Sequence, residues 1–217
     1  NCNENNIQIS DGDIIVVAQK IVSISENAIV SLSNITPSEK AIEISKLTGK
    51  SAEECQVFID ESSDILKISG KHIITRHKNG YVCTSAGVDS SNVSDKKNRL
   101  VSLLPKNPDE SAQKIRLAIN KHIGVNIAVI INDTMGKPYR KGGIGESIGI
   151  AGIKALEEKK SLDLFGNPSK SQIALVDAIA ATATILMGES NEQTPIILVK
   201  GVQYTKVEDA SIHDLLK

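Results

Sequence analysis

Two patterns of apolar residues occur along this chain. Continuous apolar runs predict its strands, and apolar residues at helical spacing predict its helices. Continuous apolar runs bounded by turn residues are typical of buried strands. Such runs occupy 14–18, 127–131 and 195–199. Shorter β-prone runs occupy 65–68, 72–75 and 81–84. The Asn79-Gly80 dipeptide before the last of these predicts a hairpin, because Asn-Gly favours the tight turns that join antiparallel strands.

Helices are predicted where apolar residues recur at helical spacing behind a capping residue. We expect Thr36 to cap the first helix, with Pro37 at its first position and Gly49 at its end. The buried face of this helix would comprise Ala41, Ile44 and Leu47. Further helices are predicted after Ser51, after Asn107 and over the apolar, Ala-rich stretch 173–187. The last of them is expected to be buried.

The order of these elements mixes hairpins with helices and does not alternate strand and helix regularly. That order favours an α+β fold, with mixed sheets and packed helices, over a doubly wound sheet. The 217 residues are enough for one large domain or for two subdomains that share a core. We therefore predict a single domain over 1–217, within which two subdomains can intertwine.

The charge balance and composition narrow the class of protein. Lys+Arg 25 against Asp+Glu 26 leave a net charge of -1, which does not favour a nucleic-acid or membrane-surface protein. Aromatic residues make up only 2% of the chain, too few for base-stacking platforms. The three cysteines, Cys2, Cys55 and Cys83, are scattered, which disfavours disulfides and zinc and favours the reducing cytoplasm. No apolar stretch approaches the ~20 residues that span a bilayer.

The most distinctive polar segment follows the apolar run at 127–131. Asp133 and Thr134 come at its end, and Arg140 and the glycine pair 142–143 follow. A carboxylate, a hydroxyl, a guanidinium and bare backbone N–H groups in one loop suit a metal ion and a phosphate better than a core. Arg140 could neutralise phosphoryl oxygens during transfer, with a solvated basic turn as an equal alternative.

A second polar segment contains Asp89 and Asn92. Taken alone, these two residues are typical of a turn in which side chains bond to the backbone. Together with Asp133, however, Asp89 supplies a second carboxylate at the end of a second strand, and Mg²⁺ or Mn²⁺ binds such oxygens. Glu189 follows the predicted helix 173–187, where an acid opposes the helix dipole. A bound cation would explain that placement, and a plain exposed loop residue is the simpler alternative.

Other candidate motifs are weaker. Gly143, Gly145 and Gly149 are spaced one residue too far apart for the dinucleotide fingerprint, and the chain contains no Walker P-loop. A nucleotide site here would therefore be of another design. His77, which has basic neighbours, is interpreted as a solvated hairpin residue, and Cys83 as a buried, inert thiol.

Several blocks of the chain occur in an order that is typical of one family. They are Asp-Gly-Asp-Ile-Ile-Val-Val-Ala-Gln-Lys-Ile-Val-Ser at 11–23, Ala-Gly-Val-Asp-Ser-Ser-Asn-Val at 86–93, Leu-Pro-Lys-Asn-Pro-Asp at 104–109, Asn-Asp-Thr-Met-Gly-Lys-Pro-Tyr-Arg at 132–140, Asp-Leu-Phe-Gly at 163–166 and Met-Gly-Glu at 187–189. Together they resemble the coenzyme F-420-0:L-glutamate ligase family, also called the deazaflavin coenzyme F-420 γ-glutamyl ligase family. The resemblance extends over 11–201.

The resemblance implies an α+β fold that forms a homodimer, with GTP and two Mg²⁺ or Mn²⁺ ions at the site. It implies that GTP phosphorylates a terminal carboxylate of the deazaflavin precursor, and that the amine of L-glutamate then displaces phosphate to form an amide. The metal would offset charge on the transferring phosphoryl group. The sequence leaves open whether K⁺ assists and how many glutamates are added.

The resemblance also implies roles for individual residues. Asp89 and Asp133 would bind one metal ion, and Thr134 and Glu189 would bind a second. Asp133 and Arg140 are the residues expected to serve catalysis. The expected nucleotide contacts are Gln19, Asn92, Met187, Gly188, Ser190, Asn191 and Thr194.

The chain departs from the family pattern near its beginning. Ile24 stands where the family usually has a lysine, and Asn27 where it usually has a glycine. A Leu-Pro segment that contacts the nucleotide in the family is not among these residues, so we expect either a trimmed start or a divergent relative. Two alternatives therefore stay open: a paralogous ligase with a different acceptor, or a non-catalytic protein that binds deazaflavin or nucleotide.

Overall fold

The protein is seen in a computed structural model that describes residues 7–93, 99–137 and 140–216. Cys2, together with Pro138 and Tyr139 of the predicted loop, lies outside the described residues. The elements are β1 (Ile14–Ala18), α1 (Gln19–Ser25), β2 (Ile29–Ser31), α2 (Glu39–Thr48), α3 (Ala52–Asp60), β3 (Ser62–Ser69), β4 (His72–His77), β5 (Val82–Thr84), β6 (Leu100–Ser102), α4 (Pro108–Ile123), β7 (Ala128–Gly136), β8 (Gly143–Ala151), β9 (Leu156–Leu162), β10 (Pro168–Ala174), α5 (Leu175–Met187) and β11 (Ile196–Val199). Short 3₁₀ turns occupy Leu32–Asn34, Ser85–Gly87 and Ile212–Leu215.

Helices and mixed sheets together confirm the predicted α+β class. The chain divides into two compact units. The first unit comprises 1–18, 107–134 and 144–217, and the second comprises 19–106 and 135–143. Among the described residues, no helix combines the length and the apolar character that crossing a membrane requires.

The first unit is built on a four-stranded sheet in the order β11-β1-β7-β8. β1 runs parallel to β7 and antiparallel to β11, so the sheet is mixed. β1 and the first half of β7 are apolar and buried, as the continuous runs in the sequence predict. The parallel register places Ala18 opposite Asn132. The carboxyl end of β1 therefore lies beside the point in β7 where its polar residues begin.

β7 is longer than the sequence predicted, and the predicted loop at Asp133 and Thr134 is wrong. The strand continues through both residues to Gly136 and is followed directly by β8, its neighbour in the sheet. A strand is held by backbone hydrogen bonds to its neighbours, which do not require apolar side chains. The loss of apolar character after 131 therefore did not mark the end of the strand.

The second unit contains a three-stranded antiparallel sheet, β3-β4-β5, and a two-stranded sheet, β2-β6. The predicted Asn79-Gly80 hairpin joins β4 to β5. α2 and α3 pack on one hydrophobic cluster, made of Ala41, Ile44, Cys55, Phe58 and Ile73. His77 is only 3% exposed, which corrects its interpretation as a solvated residue. Its Nδ1 accepts a hydrogen bond from the Asn79 backbone N–H, and its ring stacks on Tyr81.

The predicted cap of α2 is wrong by two residues. Ser38, and not Thr36, is the N-cap, because its hydroxyl accepts the backbone N–H of Ala41 three positions on. Leu47 is exposed, whereas Thr48 is buried, since four residues after Ile44 the helix returns closer to the same face than it does after three. Gly49 ends the helix in the left-handed conformation, as predicted.

α5 begins later than predicted and is not fully buried. The chain up to Ala174 belongs to β10, and the helix buries one face while Ile185 and Leu186 remain exposed. β9 and β10 form a separate two-stranded hairpin in the first unit. Its tip carries the most exposed apolar side chains of the described residues, Leu164 at 100% and Phe165 at 90%.

Candidate functional site

Thr134 and Glu189 form a pair of oxygen donors in the first unit. The Thr134 hydroxyl donates a hydrogen bond of 2.9 Å to Glu189 Oε1, and both residues are exposed to solvent. Glu189 reaches this position because α5 ends at Met187, and the chain turns at Gly188, whose φ is 73°. A carboxylate and a hydroxyl so close together are the hard ligands that Mg²⁺ or Mn²⁺ prefers. The structure thus brings together the two residues expected to bind one metal ion.

Asn132 ties the same part of β7 to α5. This residue is buried, and its Nδ2 donates to Thr184 Oγ1 at 2.9 Å and lies 3.6 Å from Met187 Sδ. Among the described residues its Oδ1 has no hydrogen-bond partner. Asn132 belongs to one of the family-like blocks, but no role for it is predicted from the sequence. An amide that interrupts the apolar run of a central strand is the signal that could have revealed it.

Gly145 allows β8 to approach α5 closely. A Cβ atom at this position would lie 2.0 Å from Thr184 Oγ1 and 2.7 Å from both the Ala180 carbonyl oxygen and Asn132 Oδ1. Only a residue without a side chain fits there. Gly145, one of the three glycines that invited a dinucleotide motif, therefore serves packing. It lies against α5, the helix that is followed by Glu189.

The loop after α5 holds a carboxylate of its own, that of Glu192. Glu192 Oε2 accepts the Ser190 N–H at 2.8 Å, and the same carboxylate packs on the bare Cα of Gly188. Hydrogen bonds from the backbone of the loop, the Ser190 N–H first among them, hold the pKa of Glu192 below its ordinary value. Backbone N–H groups of loops and turns can bind anions, including phosphate. Five of the expected nucleotide contacts lie on or beside this loop: Met187, Gly188, Ser190, Asn191 and Thr194.

In the second unit, Asp89 is held by a lysine and a serine. Lys20 Nζ lies 2.5 Å from Asp89 Oδ2 and also donates to the carbonyl oxygen and to the hydroxyl of Ser91, each at 2.7 Å. Ser91 in turn donates to Asp89 through its backbone N–H and its hydroxyl. Partial burial acts to raise the pKa of Asp89, but the hydrogen bonds from Lys20 and Ser91 outweigh it, and the pKa lies below its ordinary value.

The remaining candidates of the second unit are Gln19, Asn92 and Arg140. Gln19 is buried, and its Nε2 donates to Ser23 Oγ at 2.5 Å and to the Leu103 carbonyl at 3.0 Å, so its amide nitrogen holds α1 in place. Asn92 is exposed and left-handed, with a φ of 54°, as the predicted turn requires. Arg140 is exposed in the segment between β7 and β8.

The structure brings two of the candidate residues, Thr134 and Glu189, into contact and shows a lysine as the partner of Asp89. Thr134 contacts Glu189 in the first unit, and Asp89 contacts Lys20 in the second. Over the ranges that the structure describes, no three His, Cys, Asp or Glu side chains cluster as a metal site. Hydroxyl and backbone oxygens accompany the carboxylates instead. The shared binding of one ion by Asp89 and Asp133 stays a prediction.

Comparisons with known proteins agree on one family. Residues 1–201 match the family described as F420-0:Gamma-glutamyl ligase. A protein named Coenzyme F420:L-glutamate ligase from Methanocaldococcus jannaschii is 44% identical over 195 residues, which cover 89% of this chain and 77% of the relative. Its namesake from Methanothermobacter thermautotrophicus is 37% identical over 218 residues, with coverage of 99% and 85%. A third, from Methanosarcina mazei, is 34% identical over 213 residues, with coverage of 96% and 81%.

Proposed function

We propose a specific activity for this chain, which belongs to the F420-0:γ-glutamyl ligase family. It joins L-glutamate to a deazaflavin coenzyme F420 precursor in a reaction that uses GTP and a divalent cation. The names of its relatives support ligation of glutamate. The Thr134–Glu189 oxygen pair, next to a loop whose Ser190 N–H already binds a carboxylate, is the observation that supports metal and nucleotide use.

The proposed reaction has two steps, phosphorylation of a carboxylate and attack of an amine on the acyl phosphate. A carboxylate oxygen of the precursor attacks the γ-phosphorus of GTP, and GDP leaves, so that an acyl phosphate forms. The amine of L-glutamate then attacks the acyl carbon, loses a proton and expels phosphate, which leaves an amide. Carboxylates react poorly with amines because oxide is a poor leaving group, and phosphorylation removes that obstacle.

The chain's residues divide this work between binding and charge compensation. Thr134 and Glu189 would hold one Mg²⁺ or Mn²⁺ ion, and Asp89 and Asp133 another, and the ions would supply charge compensation for the phosphoryl oxygens. Arg140 would add a guanidinium to the same anionic group. The loop at 188–192 offers backbone N–H groups to a phosphate. The proposed nucleotide contacts are Gln19, Asn92, Met187, Gly188, Ser190, Asn191 and Thr194.

Homodimer formation is part of the proposal. Leu164 and Phe165 project from the tip of the β9–β10 hairpin into solvent, and exposed apolar groups of this size mark contact surfaces. Asp163 orders the tip, because its carboxylate accepts the backbone N–H groups of Phe165 and Asn167, each at 2.8 Å. A rigid apolar tip loses little entropy when it binds, and a second copy of the chain is the proposed partner.

The free thiols of Cys55 and Cys83 support a reducing, cytoplasmic location.

The proposal is tested by turnover with purified protein. GTP, Mg²⁺, the deazaflavin precursor and L-glutamate are supplied together and then omitted one at a time, while GDP release and product mass are measured with and without K⁺. We expect GDP and a glutamyl product only in the complete mixture. A product that contains another amino acid would favour the paralogous ligase. Binding of the precursor without any GDP release would favour the non-catalytic alternative and refute the proposal.

A further inference from the structure

The Lys20 ammonium lies among three oxygen atoms that would suit a metal cation. They are Asp89 Oδ2 at 2.5 Å, the Ser91 carbonyl oxygen at 2.7 Å and Ser91 Oγ at 2.7 Å. A carboxylate, a backbone carbonyl and a hydroxyl are hard donors of the type that hold Mg²⁺ or Mn²⁺. We call this set of atoms the Asp89–Ser91 cradle. The lysine is therefore a positive charge that stands where the chemistry of the donors would accept a metal ion.

The cradle is held in shape by its own hydrogen bonds. The Ser91 backbone N–H donates to Asp89 Oδ1 at 2.7 Å, which fixes the serine relative to the carboxylate. The backbone of Asp89 is in turn paired with Ser102 through hydrogen bonds of 3.1 and 2.8 Å. These bonds do not involve Lys20, so the oxygen atoms would keep their places if the ammonium left.

We propose that Ser91 is a metal ligand alongside Asp89, and that Lys20 is a built-in cation that a divalent ion must displace. The proposal rests on the proposed function, which takes Asp89 as a metal ligand. With Lys20 in place, one positive and one negative charge balance in the cradle. A divalent ion that takes this place leaves a net positive charge with Asp89 and frees the Lys20 ammonium. The metal ion and the ammonium are then both available to an anionic nucleotide. Metal binding is consequently weak without nucleotide and stronger with it.

Binding of Mn²⁺ to the whole chain without nucleotide, measured by electron paramagnetic resonance titration, tests the displacement. Lys20→Met removes the competing charge, and we expect it to lower the Kd for Mn²⁺ by roughly 1.5- to 5-fold, the range of a partly exposed ion pair. Lys20→Arg keeps the charge and should not tighten binding. Lys78→Met is the matched control, because it removes the same charge from another lysine–carboxylate pair of the same unit.

The ligand role of Ser91 has its own variant. Ser91→Ala removes the hydroxyl but keeps the carbonyl, so it should raise the Kd for Mn²⁺ several-fold in the Lys20→Met background, where no ammonium competes. An unchanged Kd there would overturn the role of the Ser91 side chain. A Lys20→Met protein that binds Mn²⁺ no better than the wild type would overturn the displacement.

A second measurement uses the unmodified protein and so does not depend on how variants fold. The rate at which an amine-acetylating reagent modifies Lys20 is followed by peptide mass spectrometry, with Lys78 as the internal reference. Mn²⁺ should raise the rate at Lys20 and leave that at Lys78 unchanged; no rise would overturn the displacement. If the wild type binds Mn²⁺ but Lys20 stays protected, only this inference fails, whereas absence of Mn²⁺ binding with and without GTP refutes the proposed function as well.

Discussion

The hydroxyl of Thr134 donates to the carboxylate of Glu189 across 2.9 Å, and this bond links β7 to the loop after α5. Thr134→Val keeps the shape of the side chain but removes the oxygen. We expect about a tenfold loss of divalent-metal affinity, a typical cost of disturbing a metal site, with little change in stability because Thr134 is exposed. Isothermal titration with Mn²⁺ and GTP measures the affinity.

The matched control for that variant is Thr182→Val. Thr182 is an exposed threonine of α5 whose hydroxyl bonds to the Ala178 carbonyl of its own helix. Equal losses of affinity in both variants would contradict a specific role for Thr134.

Asp133→Asn tests the carboxylate that both the metal and the catalytic assignments require. Asparagine preserves size but removes the charge, so we expect loss of metal-dependent GDP formation by at least about a hundredfold. Folding should be retained, since Asp133 is only partly buried. Asp89→Asn should show the same loss if both carboxylates serve the reaction. Asp209→Asn, at an exposed position of the same unit as Asp133, should behave as the wild type. Wild-type metal affinity in Asp133→Asn would refute its assignment as a ligand.

Gly145→Ala tests the close approach of β8 to α5. The added Cβ would meet Thr184 Oγ1 and the Ala180 carbonyl oxygen well inside contact distance, so one strand or helix must shift. We expect the free energy of unfolding to fall by about 1–3 kcal/mol, the usual cost of overpacking. Urea denaturation followed by circular dichroism measures the change.

Gly136→Ala in β7 provides the comparison, because an added Cβ there meets nothing within 4 Å. This variant should be neutral or slightly stabilising, since alanine restricts the unfolded chain more than glycine does. A Gly145→Ala protein as stable as Gly136→Ala would show that the helix yields without cost.

The pair Glu61–His77 predicts a pH dependence of stability. His77 Nε2 lies 3.7 Å from Glu61 Oε2, and this contact, with a further contribution from Lys78, holds the pKa of Glu61 below its ordinary value against the effect of burial. A carboxyl group whose pKa is lowered on folding stabilises the fold above its unfolded pKa of about 4.3. That contribution is lost as the pH falls through the folded pKa.

Glu61→Gln should therefore reduce the stability measured near neutral pH and weaken its dependence on pH in the acid range. Urea unfolding between pH 7 and pH 3 measures both, and Glu43→Gln, at an exposed position of α2, is the control. If the free energy of unfolding of Glu61→Gln fell as steeply at acid pH as that of the wild type, the Glu61–His77 pair would not be the origin of the pH dependence.

The exposed hairpin tip predicts the oligomeric state. Replacing Leu164 and Phe165 together by Asp should convert a homodimer into monomers, because charged groups at a closed interface must lose their hydration. Sedimentation equilibrium measures the mass, and Leu117→Asp, on the exposed side of α4, is the control. A double variant that remains dimeric would place the interface elsewhere.

Sequence patterns predicted those parts of the fold that depend on local chemistry. β1 was predicted at its observed bounds because both of its faces are buried, which gives a continuous apolar run. The start of α3 behind Ser51 was predicted because the Ser51–Glu54 capping box is itself a local motif. The end of α2 at Gly49 was also predicted, because a glycine C-cap is another local motif.

Features set by distant partners could not be predicted in this way. The hairpin of β9 and β10 is exposed along almost its whole length, so no apolar period marked it. His77 has two basic neighbours in sequence, but its burial depends on Tyr81 and Glu61, which the fold brings to it. Lys20 and Asp89 lie in separate blocks, and no spacing rule connects an ammonium to a carboxylate across that distance in sequence.

The carboxylate of Glu192 has a consequence for the cost of accepting a phosphate. Because this carboxylate already accepts the Ser190 N–H, the loop at 188–192 is tied together before any anion arrives. An incoming phosphate would have to release one side chain and would not have to freeze a whole segment of main chain. Recognition then avoids the conformational-entropy cost of ordering main chain, about 1–2 kcal/mol for every backbone residue, and the released side chain regains its torsional freedom.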